Sequence, residues 1–322
     1  MPLTVILDNA ALTPREWRFC AGQGPVWAFN PALVAEDGGG WLLAPRLVFR
    51  DQVRRIAICR LNSEFRVVKG SAVPLSDLLR LPATAACDEV NRKWFADPRL
   101  YWLAGRLFLQ WNTGWHATPN AQFLQELDPA TLAPAGQAQE LRLQGERRTI
   151  EKNWMLFGGD PVRAVYFARG QRILRAVTAG EDAILFAREC ETNWNPGVFV
   201  REYGSLRGGA PPCLHADRYY SFCHARRSCS GRDSYVAAVY TFGEEPPFAP
   251  LARPCAPLAL ANPWGERALN PKLAPNVGEV IYACGAAWRD GKWVVSYGIN
   301  NERCAIAQLD ADEVDALLGA VE

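Results

Sequence analysis

The chain lacks the marks of a membrane or secreted protein. Its 322 residues contain no run close to the ~20 apolar residues that a membrane-spanning helix needs. The first residues, Met1 to Asp8, have neither a basic start nor a long apolar segment, so we predict no secretory signal. A cytoplasmic location without a membrane span is therefore expected.

An excess of charge of one sign is also missing. Lys and Arg number 35, Asp and Glu number 34, and the formal net charge is +1. Nucleic acids and anionic membranes attract proteins through an excess of positive charge, so neither is expected as a partner. Hydrophobic residues make up 49% of the chain, which is enough for a full core in one large domain.

The ten cysteines form no Cys-x-x-Cys pair. In the reducing compartment expected here, most of them should be small buried apolar residues rather than disulfides. A local group at Cys213, His215, Cys223, His224 and Cys229 has the side chains that zinc prefers, but its spacing fits no familiar zinc pattern. We therefore expect no metal site.

What the chain has instead is a repeated hairpin. Residues 96–112 are two apolar and aromatic strands joined by a tight turn at Ala104-Gly105. Asp97 and Arg99 lie at the start of the first strand, and Asn112 lies at the end of the second. Antiparallel pairing brings Asn112 back beside Asp97.

Similar units recur along the whole chain, each with a first strand, a turn of residues that adopt positive φ, and a returning strand. They start near Asn30, Asp97, Lys152, Gly209 and Cys284. Such spacing, roughly 55 to 75 residues with about four strands a unit, indicates a five-bladed β-propeller. We therefore predict an all-β fold in which residues 1–322 form a single domain.

Both ends of the chain also carry predictions. A strand near residues 4–7 or residues 17–20 is expected to pair with the last blade and close the ring, which removes an exposed edge. Residues 310–321 begin with an acidic turn and predict a short C-terminal helix. A two-sheet sandwich is the rival fold, but it does not predict polar residues at the same hairpin positions.

A propeller collects strand ends around one funnel. First strands line its axis, and their starts open at the same end as the ends of the second strands. The residues gathered there are Asn30, Arg46, Asp97, Arg99, Asn112, Lys152, Asn153, Arg169, His224 and Tyr297. One carboxylate among several cations suits an anionic group with one proton donor or acceptor beside it.

Each of these residues alone also has a structural explanation. An aspartate before proline often starts a turn, arginines pair with surface carboxylates, and a single histidine is more often a hydrogen-bonded core residue than a catalyst. Their occurrence at matching positions of different units favours a functional site.

The units resemble glycoside hydrolase family 130, a family of five-bladed propellers that contains mannoside phosphorylases. The similar segments are residues 30–46, Asp97-Pro98-Arg99, residues 152–157, residues 209–224 and residues 284–298. They occur in the family's order along nearly the whole chain. The related glycosyltransferase family 108, of β-mannosyl transferases and phosphorylases, shares this architecture.

The resemblance implies an inverting reaction at a β-mannoside. The family's general acid corresponds to Asp97, and its proton reaches the glycosidic oxygen through a sugar hydroxyl. Phosphate held by basic residues attacks the anomeric carbon. The implied phosphate ligands are Arg46, Arg99, Lys152, Arg169 and His224, and the implied sugar contacts are Asn30, Asn112, Asn153 and Tyr297.

The expected partner is thus a carbohydrate. No cofactor is expected beyond inorganic phosphate or a sugar phosphate as co-substrate, and the oligomeric state is left open. The chain departs from the family pattern at Ala96, where Glu is common, and at Gly208-Gly209-Ala210-Pro211-Pro212. These departures leave the sugar and the linkage open.

Two alternatives remain. Five-bladed hydrolases such as arabinanases carry a carboxylate base at the start of the first blade, where this chain has Asn30, so Glu202 or Glu279 would have to act as the base. A non-catalytic propeller that binds glycan in polysaccharide biosynthesis would use tryptophans to stack on sugar rings, although tryptophans more often fill blade cores. The candidates are Trp27, Trp111, Trp115, Trp154 and Trp194.

Overall fold

Strands dominate the computed structural model, which describes residues 3–22, 24–86, 89–115, 119–145, 148–168 and 170–321. The strands are β1 (Leu3–Ile6), β2 (Trp27–Ala35), β3 (Trp41–Val48), β4 (Arg54–Ile56), β5 (Cys59–Leu61), β6 (Ala96–Leu103), β7 (Arg106–Asn112), β8 (Gln122–Leu127), β9 (Gln139–Leu143), β10 (Met155–Phe157), β11 (Arg163–Ala168), β12 (Gly170–Ala179), β13 (Ala183–Thr192), β14 (Ser205–Arg207), β15 (Cys213–His215), β16 (Arg218–Cys229), β17 (Arg232–Gly243), β18 (Pro250–Pro254), β19 (Val277–Arg289), β20 (Lys292–Ile299), β21 (Arg303–Asp310) and β22 (Leu318–Ala320).

The helices are short. They are α1 (Arg18–Ala21), α2 (Leu75–Leu78), α3 (Ala83–Ala86), α4 (Glu89–Lys93), α5 (Val198–Tyr203) and α6 (Ala311–Asp315), and a turn of 3₁₀ helix covers Arg15–Trp17. None of the helices in the described part of the chain is long and apolar enough to cross a membrane.

Strands pair mainly with their neighbours in the chain. Antiparallel sets are formed by β2 to β5, β6 to β9, β10 to β13, β14 to β18, and β19 to β21. Parallel pairing connects β9 to β13 and β17 to β19. The predicted hairpins are therefore confirmed, and Ala104 and Gly105 have positive φ angles of 48° and 73°, as a tight primed turn requires.

First strands of different sets meet one another. β2 contacts both β6 and β19, and β19 contacts β6, although the three strands belong to different sheets. Residues at the starts of these strands are therefore brought together from distant parts of the sequence.

Aromatic side chains fill the space between sheets. Trp111, Trp154 and Trp293 are among the largest fully buried side chains. The rings of Trp111 and Phe123 are stacked with centroids 5.3 Å apart. These tryptophans contribute to packing, as aromatic residues with large apolar surfaces commonly do.

The N-terminal strand pairs with the end of the chain as predicted. β1 runs antiparallel to β21, with Leu3 opposite Gln308 and Ile6 opposite Ala305. The alternative closing strand at residues 17–20 is wrong, because Arg18–Ala21 is helical.

The C-terminal helix is shorter than predicted. α6 ends at Asp315, and β22 pairs antiparallel with β18, so that Gly319 lies opposite Arg253. Pairing with a neighbouring strand satisfies the backbone groups that a longer helix would otherwise satisfy internally.

Candidate functional site

Polar residues with left-handed backbone mark the starts of the first strands. Asn30, Asp97 and Asn153 have φ angles of 51°, 49° and 63°, a conformation that Asn and Asp tolerate better than other non-glycine residues. At Asn30 and Asp97 the register of the strand pair also shifts. Such a bulge re-aims a side chain relative to the regular alternation of the strand.

The carboxylate of Asp97 is held by two donors. Asn30 Nδ2 donates to Asp97 Oδ1 at 2.8 Å, and Arg46 Nη1 donates to the same oxygen at 3.1 Å. The side chains of Arg46 and Asp97 are 14% and 16% exposed. The Arg46 guanidinium also lies over the Phe29 ring, 4.6 Å from its centroid.

The charges around Asp97 keep it ionised. Burial alone raises the pKa of Asp97, but the charges of Arg46, Lys152 and Arg99 and the hydrogen bond from Asn30 outweigh burial and lower it to about 2. A general acid must carry a proton. An anion bound beside these cations would cancel part of their field and raise the pKa of Asp97.

Arg99 is buried and donates its hydrogen bonds to neighbouring protein groups. Its Nε donates to the carbonyl oxygen of Gly209, and its Nη1 donates to those of Asp97 and Pro98 at 3.2 and 2.8 Å. Its Nη2 donates to the Tyr282 hydroxyl at 2.8 Å, and Arg99 is 2% exposed. Each nitrogen thus has a protein acceptor, although Arg99 also lines a small cavity that contains Asp97, and its place among the phosphate ligands stays a prediction.

A cleft of ≈ 740 Å³ opens next to Asn153. Its described lining contains no acidic side chain and consists of Arg148, Ile150, Lys152, Asn153, Gly170, Trp194, Asn195, Pro196, Val200, Ser205, Leu206, Arg207 and Gly208. Asn153 also lines a much smaller cavity that includes Asp97 and Asn112. Asn153 therefore lies between the carboxylate of Asp97 and the cleft.

Two cations in the cleft wall have no described carboxylate as an ion-pair partner. Burial lowers the pKa of Lys152; Asp97 opposes this, and Arg207, Arg46 and Arg226 lower it further. Burial, and then the charge of Arg226, lower the pKa of Arg207. Partly buried cations that repel one another favour binding of an anion.

Sequence reasoning missed Arg207. This residue ends β14 and directly precedes the glycine pair Gly208-Gly209. A basic residue beside a glycine-rich segment was the available signal, but only the fold shows that Arg207 shares a cleft with Lys152.

His224 is buried and neutral. It is 2% exposed and lies opposite Arg207 in the β14–β16 pairing, and its ring centroid is 4.3 Å from that of Tyr282. Burial, followed by the charges of Arg207, Arg99 and Lys152, lowers the pKa of His224 well below its usual range. His224 therefore adds no positive charge to the site, although a neutral imidazole still donates one hydrogen bond.

Asn112 and Tyr297, two other predicted site residues, do not lie together. Asn112 lines the small cavity, and its Oδ1 accepts the Gly114 amide N–H at 2.8 Å. Tyr297 is fully buried, and its hydroxyl donates to the Ala261 carbonyl at 2.9 Å, so the structure places it in the core instead of at the predicted sugar site. Arg169 lies outside the described residues.

The cysteine and histidine group does not converge. Cys213 and His215 lie on β15, whereas Cys223, His224 and Cys229 lie on β16. Within the described ranges, no group of three or more His, Cys, Asp or Glu side chains is placed to hold a metal ion.

Comparison with solved structures identifies the fold. The β-1,2-mannobiose phosphorylase from Listeria innocua matches with a TM-score of 0.61 and 14% identity over 98% of both chains. The chain has the fold of glycoside hydrolase family 130. A second match is a structure from glycoside hydrolase family 130, a family of mannoside phosphorylases that contains hydrolases of β-1,2 mannosidic linkages in Candida mannan. It matches with a TM-score of 0.55 and 13% identity over 92% of this chain and 86% of that one.

A transferase has the family 130 fold as well. MPT-1, a GDP-Man-dependent mannosyltransferase from Leishmania mexicana, matches with a TM-score of 0.55 and 12% identity over 96% of this chain and 89% of that one. Neither known family profiles nor curated protein sequences match this chain. The all-β class and the resemblance to the family 130 fold, both predicted from short sequence segments, are thus confirmed at a level where sequence identity is low.

Proposed function

We propose that this chain is a carbohydrate-active enzyme that carries out inverting phosphorolysis or transfer of a β-mannoside-like sugar. The observation that carries the proposal is the Asp97 carboxylate, held by Asn30 and Arg46, beside a cleft with the cations Lys152 and Arg207. The phosphorylase and mannosyltransferase among its structural neighbours support this assignment. The strand sets described above are then five blades of one propeller spanning residues 1–322.

In this proposal Asp97 is the general acid. Phosphate is the co-substrate and binds at Lys152 and Arg207. It donates an oxygen lone pair to the anomeric carbon of the glycoside from the face opposite the leaving group. The glycosidic C–O bond breaks, and the proton of Asp97 passes through a sugar hydroxyl to the leaving oxygen. Because the bound anion raises the pKa of Asp97, the acid is protonated mainly when phosphate is present.

The same site serves transfer from an activated donor. There the anionic group at Lys152 and Arg207 is the leaving group on the donor sugar, and Asp97 acts as the base that accepts the proton of the acceptor hydroxyl. The ionised state of Asp97 in the unliganded protein suits that direction.

Hydrolysis has less support. An inverting hydrolase needs a second carboxylate to activate water, and the described lining of the cleft has none. Glu202 is exposed on α5, and Glu279 accepts a hydrogen bond from Asn262 at 2.7 Å; neither lines the cleft.

Glycan binding without catalysis is favoured by one observation. Trp194 lines the cleft, and its ring stacks on Tyr240 with centroids 5.3 Å apart. A supported aromatic ring of this kind binds the apolar face of a sugar, with or without a reaction.

The test is an assay of the reverse reaction. The purified protein is incubated with mannose 1-phosphate and a panel of acceptor sugars, and the released phosphate is measured. We expect release that falls by at least ~100-fold in Asp97→Asn, since the amide cannot exchange the proton. Release that survives in this variant contradicts the assignment of Asp97, and no release from mannose 1-phosphate, but transfer from GDP-mannose, selects the transferase.

A further inference from the structure

Tyr282 lies where several first strands meet. It belongs to β19 and is 7% exposed. Its hydroxyl accepts a hydrogen bond from Arg99 Nη2 at 2.8 Å and donates one to Asn153 Oδ1 at 3.1 Å. Its ring also packs against that of His224. One side chain thus connects residues from four strand sets.

The direction of these hydrogen bonds follows from the chemistry of the partners. A guanidinium has donors only, so the Tyr282 oxygen accepts from Arg99. The hydroxyl proton is then available only to the other neighbour, which must present an acceptor. Asn153 meets this requirement only when its Oδ1, and not its Nδ2, faces Tyr282.

Tyr282, which is absent from the described lining of the cleft, therefore determines the orientation of the Asn153 amide. Its carbonyl faces Tyr282, and its Nδ2 is the end left to the two cavities that Asn153 lines. No acceptor among the described residues binds that Nδ2. The Asn153 backbone passes so close to the residue after β14 that glycine is required there, because a Cβ at Gly208 would lie 2.1 Å from the Asn153 carbonyl oxygen.

We propose that Tyr282 is a positioning residue that turns the Asn153 amide so that its Nδ2 donates to an oxygen of the anion bound at Lys152 and Arg207. This inference rests on the proposed function, which supplies the anion. Together these three residues line one side of the site with donors only, and such a wall binds the acceptor oxygens of an anion such as phosphate.

The experiment compares matched hydroxyl deletions. Tyr282→Phe keeps the ring against His224 and removes the hydroxyl that orients the Asn153 amide. Tyr235→Phe is the control, because Tyr235 also packs against His224, with ring centroids 5.7 Å apart, but makes no described hydrogen bond to Asn153. Calorimetric titration with inorganic phosphate is expected to give a roughly 10- to 100-fold weaker affinity in Tyr282→Phe, corresponding to one lost hydrogen bond to a charged ligand, and no change in the control.

A double variant separates positioning from general loosening. If Tyr282 acts through Asn153, then Tyr282→Phe added to Asn153→Ala weakens phosphate binding no further than Asn153→Ala alone. Additive losses, or an unchanged affinity in Tyr282→Phe, would overturn the positioning role of Tyr282 and leave the proposed function intact.

A second measurement does not depend on phosphate binding. The Asn153 side-chain NH₂ signal in a ¹⁵N–¹H NMR spectrum is assigned by its loss in Asn153→Ala. We expect it to shift in Tyr282→Phe and not in Tyr235→Phe. If the wild-type protein binds no phosphate, phosphorolysis as the proposed function fails, and an unmoved signal in Tyr282→Phe then overturns the positioning role of Tyr282 by itself.

Discussion

At Asp97, burial and nearby cations act on the same carboxyl in opposite directions, and the cations dominate. The pKa of about 2 in the folded chain lies below the value of ~3.9 expected for an unfolded aspartate. Ionised Asp97 therefore stabilises the fold above pH ~4, and this contribution is lost as the pH falls toward 2.

We expect Asp97→Asn to remove this part of the pH dependence. Between pH 5 and pH 3, the free energy of unfolding of the wild-type protein should fall by about 1 kcal/mol more than that of the variant. Urea denaturation at both pH values measures the difference. Parallel losses in the two proteins would contradict the lowered pKa.

Arg207 provides a second prediction at the scale of one residue. Arg207→Gln removes one of two cations that have no described carboxylate partner in the cleft, so phosphate affinity should fall about 10-fold. Arg201→Gln is the matched control, because Arg201 lies on α5 and is absent from the described lining of the cleft. Titration with phosphate at constant ionic strength measures both, and equal losses would indicate a general effect of net charge.

Among the elements, the contact between β2 and β20 supports the position of the Asp97 carboxylate. Gly298 in β20 has no side chain, and a Cβ there would lie 2.7 Å from Asn30 Oδ1 and 2.9 Å from Asn30 N. Asn30 in turn donates to Asp97. The approach of these strands therefore requires glycine.

Gly298→Ala should disturb stability and activity together. We expect a loss of about 1 to 3 kcal/mol in the free energy of unfolding from overpacking and slower phosphate release, since Asn30 is displaced from Asp97. Gly159→Ala is the control, because no heavy atom lies within 4 Å of a Cβ there. Thermal unfolding and the release assay report the two effects, and wild-type values for Gly298→Ala would refute this packing argument.

Prediction of elements from the sequence succeeded where the signal was local. The Ala104-Gly105 hairpin formed as expected, because both turn residues adopt positive φ. The sequence of residues 65–69 also predicts a strand, but these residues form only a single bridge, at Val67. There the Asn62 side chain accepts the backbone N–H groups of Glu64 and Arg66 at 3.1 and 2.9 Å, and this local turn competes with strand pairing.

For the whole molecule, β1 is the contact between the two ends of the described chain. It covers the outer edge of β21, and the Leu7 amide donates to the Cys304 carbonyl at 2.9 Å. Without this strand, β21 would present an open row of backbone donors and acceptors.

Deleting residues 1–7 should therefore lower the melting temperature by roughly 3 °C, the loss expected for about 2 kcal/mol in a protein of this size. Aggregation on heating should also increase. Leu3→Ser is the control, since Leu3 is 60% exposed and its substitution leaves the backbone pairing in place. An unchanged melting temperature in the deletion variant would show that β1 contributes little to stability.

The sequence alone determined the hairpins, the all-β class and the family whose fold this chain shares, because turn residues and strand patterns act over a few positions. Only the tertiary structure decided which polar residues meet. Arg99 binds Gly209 and Tyr282 across 110 and 183 residues of sequence, Arg207 joins Lys152, and Tyr297 packs in the core. Such contacts join residues that are far apart in the sequence, so no local sequence pattern predicts them.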